Sequence, residues 1–330
     1  MLVNDIYMKL TFWGVRGSIP VPGESTVKFG GNTSCYSIET GKHFIILDAG
    51  SGIRNLGKEI SRKVFIIFFS HLHHDHHQGL PFFKWMYSPD CLINMYSPLR
   101  MNRSLSSILK TELFDSPMFP VLLNDTKSKK IIEEVSTTES IRLLDIHTKK
   151  DLKAVFGKKW EEINEIYPSL ENLHTKVHFS HPKLPKETAV VDVCENLSHP
   201  QNGTFFYKIT EHKTGKKIVY ATDTEPFKGG DFNLIKFSQG ADILIHDSQF
   251  TEKQYYSRGF VVQGFGHSDY KSAVEVGFAA GVKNLVLTHF DPNNSDTVVE
   301  KMEKDAKAYA KELGAKLNVI AAREGTSLEI

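Results

Sequence analysis

The densest chemistry in this 330-residue sequence is a short run, Ser70-His71-Leu72-His73-His74-Asp75-His76-His77-Gln78-Gly79-Leu80. Five histidines and one aspartate fall within seven positions, a density that packing does not explain. Imidazole nitrogen and carboxylate oxygen are good ligands for zinc and other borderline divalent ions. A strand-like segment, Val64 to Phe69, apolar on both faces, leads straight into the run. His71 and His73, alternating at the end of an extended segment, can share one metal, and a turn of the chain then brings Asp75 and His76 to a second position nearby. Two such ions would lower the pKa of a bridging water and neutralise charge on a tetrahedral or phosphoryl transition state, so metal-dependent hydrolysis is the expected chemistry.

The run matches the H-x-H-x-D-H signature of the metallo-β-lactamase superfamily, trailing Gly-Leu included, and the chain resembles that superfamily over most of its length outside a suspected insertion. Leu47-Asp48-Ala49-Gly50 is similar to its first motif, which implies that Asp48 supports the metal-binding loop from behind the ligands. Ser198-His199-Pro200 resembles the third, implying that His199 joins His71 and His73 on the first metal. Tyr220-Ala221-Thr222-Asp223-Thr224 resembles the fourth, which makes Asp223 the bridge between two ions. Leu287-Thr288-His289-Phe290 resembles the fifth, adding His289 to Asp75 and His76 on the second. The resemblance implies two divalent ions, with zinc first and manganese or iron as alternatives.

The complete ligand set looks like the phosphodiesterase and RNase Z side of the superfamily. Gly264-Phe265-Gly266-His267-Ser268 resembles a G-H-S segment whose histidine stabilises or protonates the departing oxygen, a role this implies for His267. A phosphodiester needs such an acid because an alkoxide leaves poorly. Ala241 to Ser248 resembles an H-E-A-T segment with Asp247 where a glutamate is usual, which implies that Asp247 orients His267; the resemblance also makes Asp75 a candidate acceptor for a proton of the attacking water. The glycine-rich turns Gly14 to Pro20 and Gly30 to Cys35 can aim amides and hydroxyls at a phosphate, and their wording resembles a branch that includes cyclic-nucleotide phosphodiesterases, placing Asn32 and Ser34 near the substrate. The leading expectation is hydrolysis of a small phosphodiester, a 3′,5′-cyclic nucleotide first, by a metal-bridging hydroxide. An RNase Z-like endoribonuclease, a lactone or thioester hydrolase and a non-enzymatic nucleotide sensor are the alternatives.

Positioning these groups takes a rigid scaffold. β-branched and aromatic runs predict strands at Lys9–Trp13, Cys35–Glu39, His43–Leu47, Val64–Phe69, Leu92–Tyr96, Val190–Cys194, Thr204–Ile209, Lys217–Tyr220, Asp242–Ile245, Asn284–Leu287 and Lys316–Ile320. Helical periodicity predicts helices at Ile53–Ile60, Leu99–Leu113, Asp151–Ile166, Tyr270–Ala280 and Thr297–Leu313. Asp223 and His289 then sit where strands end in loops. The expected fold is α/β, the αββα sandwich of two mixed sheets with outer helices implied by the resemblance, in a single domain over residues 1–330 with a mostly helical insertion at about 101–175.

Composition bounds the partners. Lysine plus arginine number 40 against 39 acidic residues, so no net field gathers a polyanion, although Lys127, Lys129, Lys130, Lys149, Lys150, Lys153, Lys158 and Lys159 concentrate in one stretch. A small phosphodiester or nucleotide therefore ranks ahead of RNA as substrate. Cys35, Cys91 and Cys194 are widely spaced and odd in number, which suits reduced thiols and a cytoplasmic setting. No basic-plus-apolar leader or membrane-length apolar run is visible. The family resemblance suggests a homodimer.

Overall fold

The computed structural model describes residues 8–99, 103–137, 140–145, 174–176, 186–201 and 203–330. Its strands are β1 (Met8–Gly14), β2 (Cys35–Thr40), β3 (Phe44–Leu47), β4 (Val64–Phe68), β5 (Leu92–Pro98), β6 (Lys129–Val135), β7 (Ser140–Leu144), β8 (His174–Lys176), β9 (Glu187–Asn196), β10 (Thr204–Glu211), β11 (Lys217–Ala221), β12 (Ile243–Asp247), β13 (Asn284–Thr288), β14 (Asn318–Ala321) and β15 (Ser327–Glu329). The helices are α1 (Ile53–Glu59), α2 (His74–His77), α3 (Leu105–Ile108), α4 (Phe232–Phe237), α5 (Glu252–Tyr255), α6 (Tyr270–Ala279) and α7 (Asp296–Glu312).

A seven-stranded sheet runs β15-β1-β2-β3-β4-β5-β6, and an eight-stranded one runs β14-β13-β12-β11-β10-β9-β7-β8. Both are mixed. β3 through β6 pair in parallel, as do β11 through β14, while hairpin-type antiparallel pairs complete each sheet. The expected sandwich is thus the architecture formed. β4 explains why: it lies between two parallel neighbours, so both faces are covered and its sequence is a continuous apolar run. Between the sheets, the Phe68 ring stacks on Tyr96 at 5.0 Å and meets Tyr207 of the opposite sheet at 5.1 Å. Tyr36 and Tyr220 make a similar contact at 5.2 Å.

Helices cover the outer faces. On the first sheet, Ile53 and Leu56 of α1 join Ile46, Phe65 and Ile67 in one buried cluster. On the second, α7 buries Val299, Met302, Ala306 and Ala310, a stripe at three- and four-residue spacing, and α6 is capped by Asp269, whose Oδ1 accepts from the amides of Lys271 and Ser272.

The mostly helical reading of 101–175 needs correction where that segment is described. α3 is short and continues as a single wide turn over 109–113, whereas β6 extends the first sheet and β7 and β8 form the edge of the second. β6 is an edge strand and only Val135 of it is buried, so Lys129, Lys130, Glu133 and Glu134 are tolerated and mask the strand signal. The helix expected at 151–166, and with it Lys149, Lys150, Lys153, Lys158 and Lys159, lies outside the described residues. No described helix is long and apolar enough to cross a membrane.

Candidate metal centre

The site lies beyond the carboxyl ends of the parallel strands, where β3, β4, β11, β12 and β13 all stop and where open α/β sheets place their ligands. β4 leads through a bend at Ser70 to His73, the extended N-cap of α2 with ψ 153, and the single turn of α2 carries Asp75 and His76. Asp48, Asp223 and His289, the first residues in or next to the loops after β3, β11 and β13, all adopt left-handed backbone with φ of 59, 56 and 62. Such conformations cost a non-glycine residue on the order of 1–3 kcal/mol, and here the surrounding bonds hold them.

Asp48 is the hub of those bonds. Its Oδ1 accepts from the Ser70 amide at 2.7 Å; its Oδ2 accepts from Ser70 Oγ at 2.8 Å, from His76 Nδ1 at 2.7 Å and from the Tyr220 hydroxyl at 2.6 Å. One buried carboxylate thereby ties β4 to β11 and fixes the His76 ring with Nε2 turned inward.

The predicted ligands converge. The imidazole nitrogens of His71, His73 and His199 lie within 4.8 Å of one another, and so do the ligand atoms of Asp75, His76 and His289. Asp223 stands between the two groups: its Oδ2 is 3.6 Å from His71 Nε2, 3.4 Å from His76 Nε2 and 3.6 Å from His199 Nε2, and its Oδ1 is 3.4 Å from His289 Nε2. All are buried except His73, which is open to solvent at the mouth.

Two observations test whether divalent ions suit this cluster. His71 Nε2 and His76 Nε2 are buried without a hydrogen-bond partner among the described residues, although both point at carboxylate oxygens. Orphaned ring nitrogens aimed at a common centre are what a metal-ligand set leaves when only protein atoms are counted. The charges agree. Burial pushes His71, His73 and His199 toward the neutral, ligating form, His199 to about 4. For His76 and His289 burial acts in the same sense, but the surrounding carboxylates outweigh it, and His289 is pushed up to about 9. Asp75 and Asp223 are held well below the usual carboxylate range, burial notwithstanding, by the same histidines. A cation would take the place of those protons. The other two histidines of the run do different work: His77 Nε2 donates to the Leu72 carbonyl at 3.2 Å and its ring packs against that of His74.

His267 stands beside this cluster. Its Nδ1 donates to Asp247 Oδ2 at 2.7 Å and lies 4.0 Å from Asp223 Oδ2, and its ring stacks on His289 with centroids 4.9 Å apart. The aspartate in place of the expected glutamate reaches far enough because β12 ends directly beneath the His267 loop. Asp247 and His267 also fall within ligand distance of Asp223 and His289, but the short Asp247–His267 hydrogen bond uses Nδ1 for orientation.

The two residues expected near the substrate, Asn32 and Ser34, are engaged within the fold. Asn32 donates through its amide and Nδ2 to Glu324 at 2.6 and 2.7 Å and accepts from Ser51 Oγ at 3.1 Å, so its side chain ties an early turn to the last turn of the chain. Ser34 is fully buried, its carbonyl accepting from the Gly50 amide. The glycine-rich turn does reach the site, by another residue: the Ser18 amide donates to Asp75 Oδ2 at 2.8 Å. Gly17 permits this approach, since a Cβ there would fall 2.4 Å from the His289 ring.

Glu225 was not foreseen. Its carboxylate accepts from the amides of Gly264 at 3.1 Å and Gly266 at 2.7 Å and from the Tyr255 hydroxyl, pinning the loop that carries His267. The Gly266 carbonyl in turn accepts from His199 Nδ1 at 3.1 Å. Glu225 therefore positions both His199 and His267 from a place that no local motif marks.

Comparison with known proteins agrees with this geometry. Residues 175–290 match the beta-lactamase superfamily domain. A ribonuclease Z of Archaeoglobus fulgidus is 26% identical over 338 residues, covering 98% of this chain and 97% of the relative. Over residues 175–290 the chain is similar to the metallo-β-lactamase superfamily. Its fold is shared with a metallo-β-lactamase fold protein of Bacillus subtilis at a TM-score of 0.61 and 18% identity, covering 98% of this chain and 99% of that one. The short form of human tRNase Z shares it at a TM-score of 0.55 and 18% identity, covering 97% and 98%. A second ribonuclease Z, of Picrophilus torridus, is 24% identical over 311 residues, covering 87% of this chain and 87% of the relative.

Proposed function

We propose that this protein is a metal-dependent phosphodiester hydrolase that cuts RNA in the manner of an RNase Z. The observation that carries the reading is the His267–Asp247 pair set against the Asp223 cluster, because a general acid beside a two-metal ligand set is what an alkoxide leaving group requires. The full-length relatives named ribonuclease Z turn the substrate from small phosphodiester to RNA. The cyclic nucleotide that ranked first on sequence grounds becomes the second candidate, and the net charge of +1 that argued for it constrains only the whole surface.

In this reading His71, His73 and His199 would hold one divalent ion and Asp75, His76 and His289 a second, with Asp223 placed between the two groups; the imidazole-rich donor set suits zinc. Such ions acidify water and neutralise charge on the phosphoryl group. The chain's own residues do the rest. Asp247 Oδ2 holds Nδ1–H of His267, which leaves Nε2 to deliver a proton to the departing oxygen. Glu225 keeps that loop in place, and Asp48 keeps the His76 ring from turning. We also read residues 1–330 as one folded unit with an insertion at about 101–175, since β15 closes the sheet that β1 begins. A homodimer in the cytoplasm is part of the same proposal, and sedimentation of the purified protein tests the dimer.

Metal-replete turnover of a precursor tRNA, a 3′,5′-cyclic nucleotide, bis-p-nitrophenyl phosphate and a lactone, with Asp75→Ala as control, tests the function. RNA cleavage that vanishes in the variant is expected. Hydrolysis of the cyclic nucleotide without RNA cleavage would restore the small substrate, and lactone hydrolysis alone would end the phosphodiesterase reading.

Asp48→Asn supplies a separate check. Asparagine tolerates the left-handed backbone at this position, but its amide presents a donor to groups that already donate. Divalent-cation affinity is expected to fall roughly 10–100-fold, the usual cost of losing an orienting partner behind a ligand, as measured by competition with a chelating dye. An unchanged affinity would remove Asp48 from its supporting role.

A further inference from the structure

Next to the metal centre a cavity of about 600 Å³ opens between α5 and the loop that leads to His267. Its inner wall belongs to the site: the Ser18 amide is bonded to Asp75, Gln249 Oε1 accepts from His289 Nδ1 at 3.1 Å, and the Phe250 ring meets the His267 ring edge-on at 6.3 Å. Its outer wall is aromatic. Phe260 is 69% exposed and Phe265 49% exposed, and their rings meet edge-to-face with centroids 6.2 Å apart. Lys253 lies at the rim.

Two phenyl rings held open to water beside a reaction centre call for a flat apolar partner, because isolated exposed phenyls gain nothing from solvent. The chemistry of the neighbouring site says which. A phosphodiester placed at Asp223 and His267 carries a nucleoside on each side, and an unpaired base has a π-face that stacks on phenyl rings regardless of its identity. The cavity is of a size that small-molecule groups fill, and Lys253 can meet the backbone charge that accompanies the base. We propose that this cavity is a nucleobase subsite: Phe260 and Phe265 stack on the base of an unpaired nucleotide adjoining the scissile phosphate. The inference rests on the RNA-cutting reading above and adds to it the feature of the RNA that the protein selects.

The test compares kcat/KM for a precursor RNA with kcat/KM for two versions that carry an abasic nucleotide immediately 5′ or immediately 3′ of the cut. The wild-type protein should lose roughly 10-fold or more on one abasic RNA, in line with the stacking contribution of a single base. The double variant Phe260→Ala, Phe265→Ala should treat that RNA and the intact one alike, while Phe265→Tyr, which keeps the ring, should retain the preference. Wild-type protein that cuts all three RNAs equally, or a double variant that still discriminates, would overturn the subsite and leave the RNA-cutting reading standing. Cleavage of none of them would overturn that reading and the subsite with it.

Discussion

Asp223→Asn is expected to leave the protein folded yet deprive it of a two-metal centre, with phosphodiester turnover down by roughly 1,000-fold or more. The Asp223 carboxylate oxygens lie near His71 and His199 of one ligand group and near His76 and His289 of the other. Asparagine keeps the shape and the left-handed φ of 56, so the effect reads the charge and the second anionic oxygen rather than the backbone. Metal analysis after dialysis should find two ions per chain in the wild type and fewer in the variant. The thermal transition gives an independent readout. A ligand that binds only the folded state raises stability with its concentration, so added zinc should raise Tm for the wild type and much less for the variant. Retention of both ions and of full turnover would sink the bridging assignment.

The second large effect concerns the acid. His267→Ala should lower kcat on RNA by roughly 10²–10⁴, the usual range for a positioned proton donor. On bis-p-nitrophenyl phosphate the loss should be far smaller, because nitrophenolate departs without a proton. Asp247→Asn should move the two substrates in the same order by a smaller factor, since the imidazole survives but loses the acceptor for Nδ1. The contrast between substrates separates an acid from a packing residue: equal losses on both would mean that His267 only stacks on His289 and fills space.

How much of this was legible in advance follows from how local each signal is. All eleven strands expected from β-branched and aromatic runs occur; β4, for one, is covered on both faces and must be apolar along its length, a requirement written in consecutive residues. β6, β7, β8 and β15 escaped for the opposite reason: β6 and β7 are edge or near-edge strands with charged residues, and β8 and β15 are three residues long, β15 held by pairing with β1 across almost the whole chain.

The site divides along the same line. The candidate ligands, Asp48 and the His267–Asp247 pair were legible in the sequence, the histidine-rich run by its density and the others as short motifs that resemble those of a known superfamily. The tertiary structure alone decided the rest. The partner of Asn32 is one such case: Glu324, 292 positions away, accepts from its amide and its side chain. Ser18 proved to be the turn residue that reaches Asp75, and Glu225 proved to hold the His267 loop, through bonds to backbone amides that no side-chain pattern announces. The aromatic cavity beside the centre belongs to the same class: Phe250, Phe260 and Phe265 acquire meaning only where folding sets them around one cavity, with Phe250 against His267. Strand patterns and ligand types are constrained by neighbours in the chain, whereas hydrogen-bond partners and cavities are constrained by neighbours in space, and only packing brings those together.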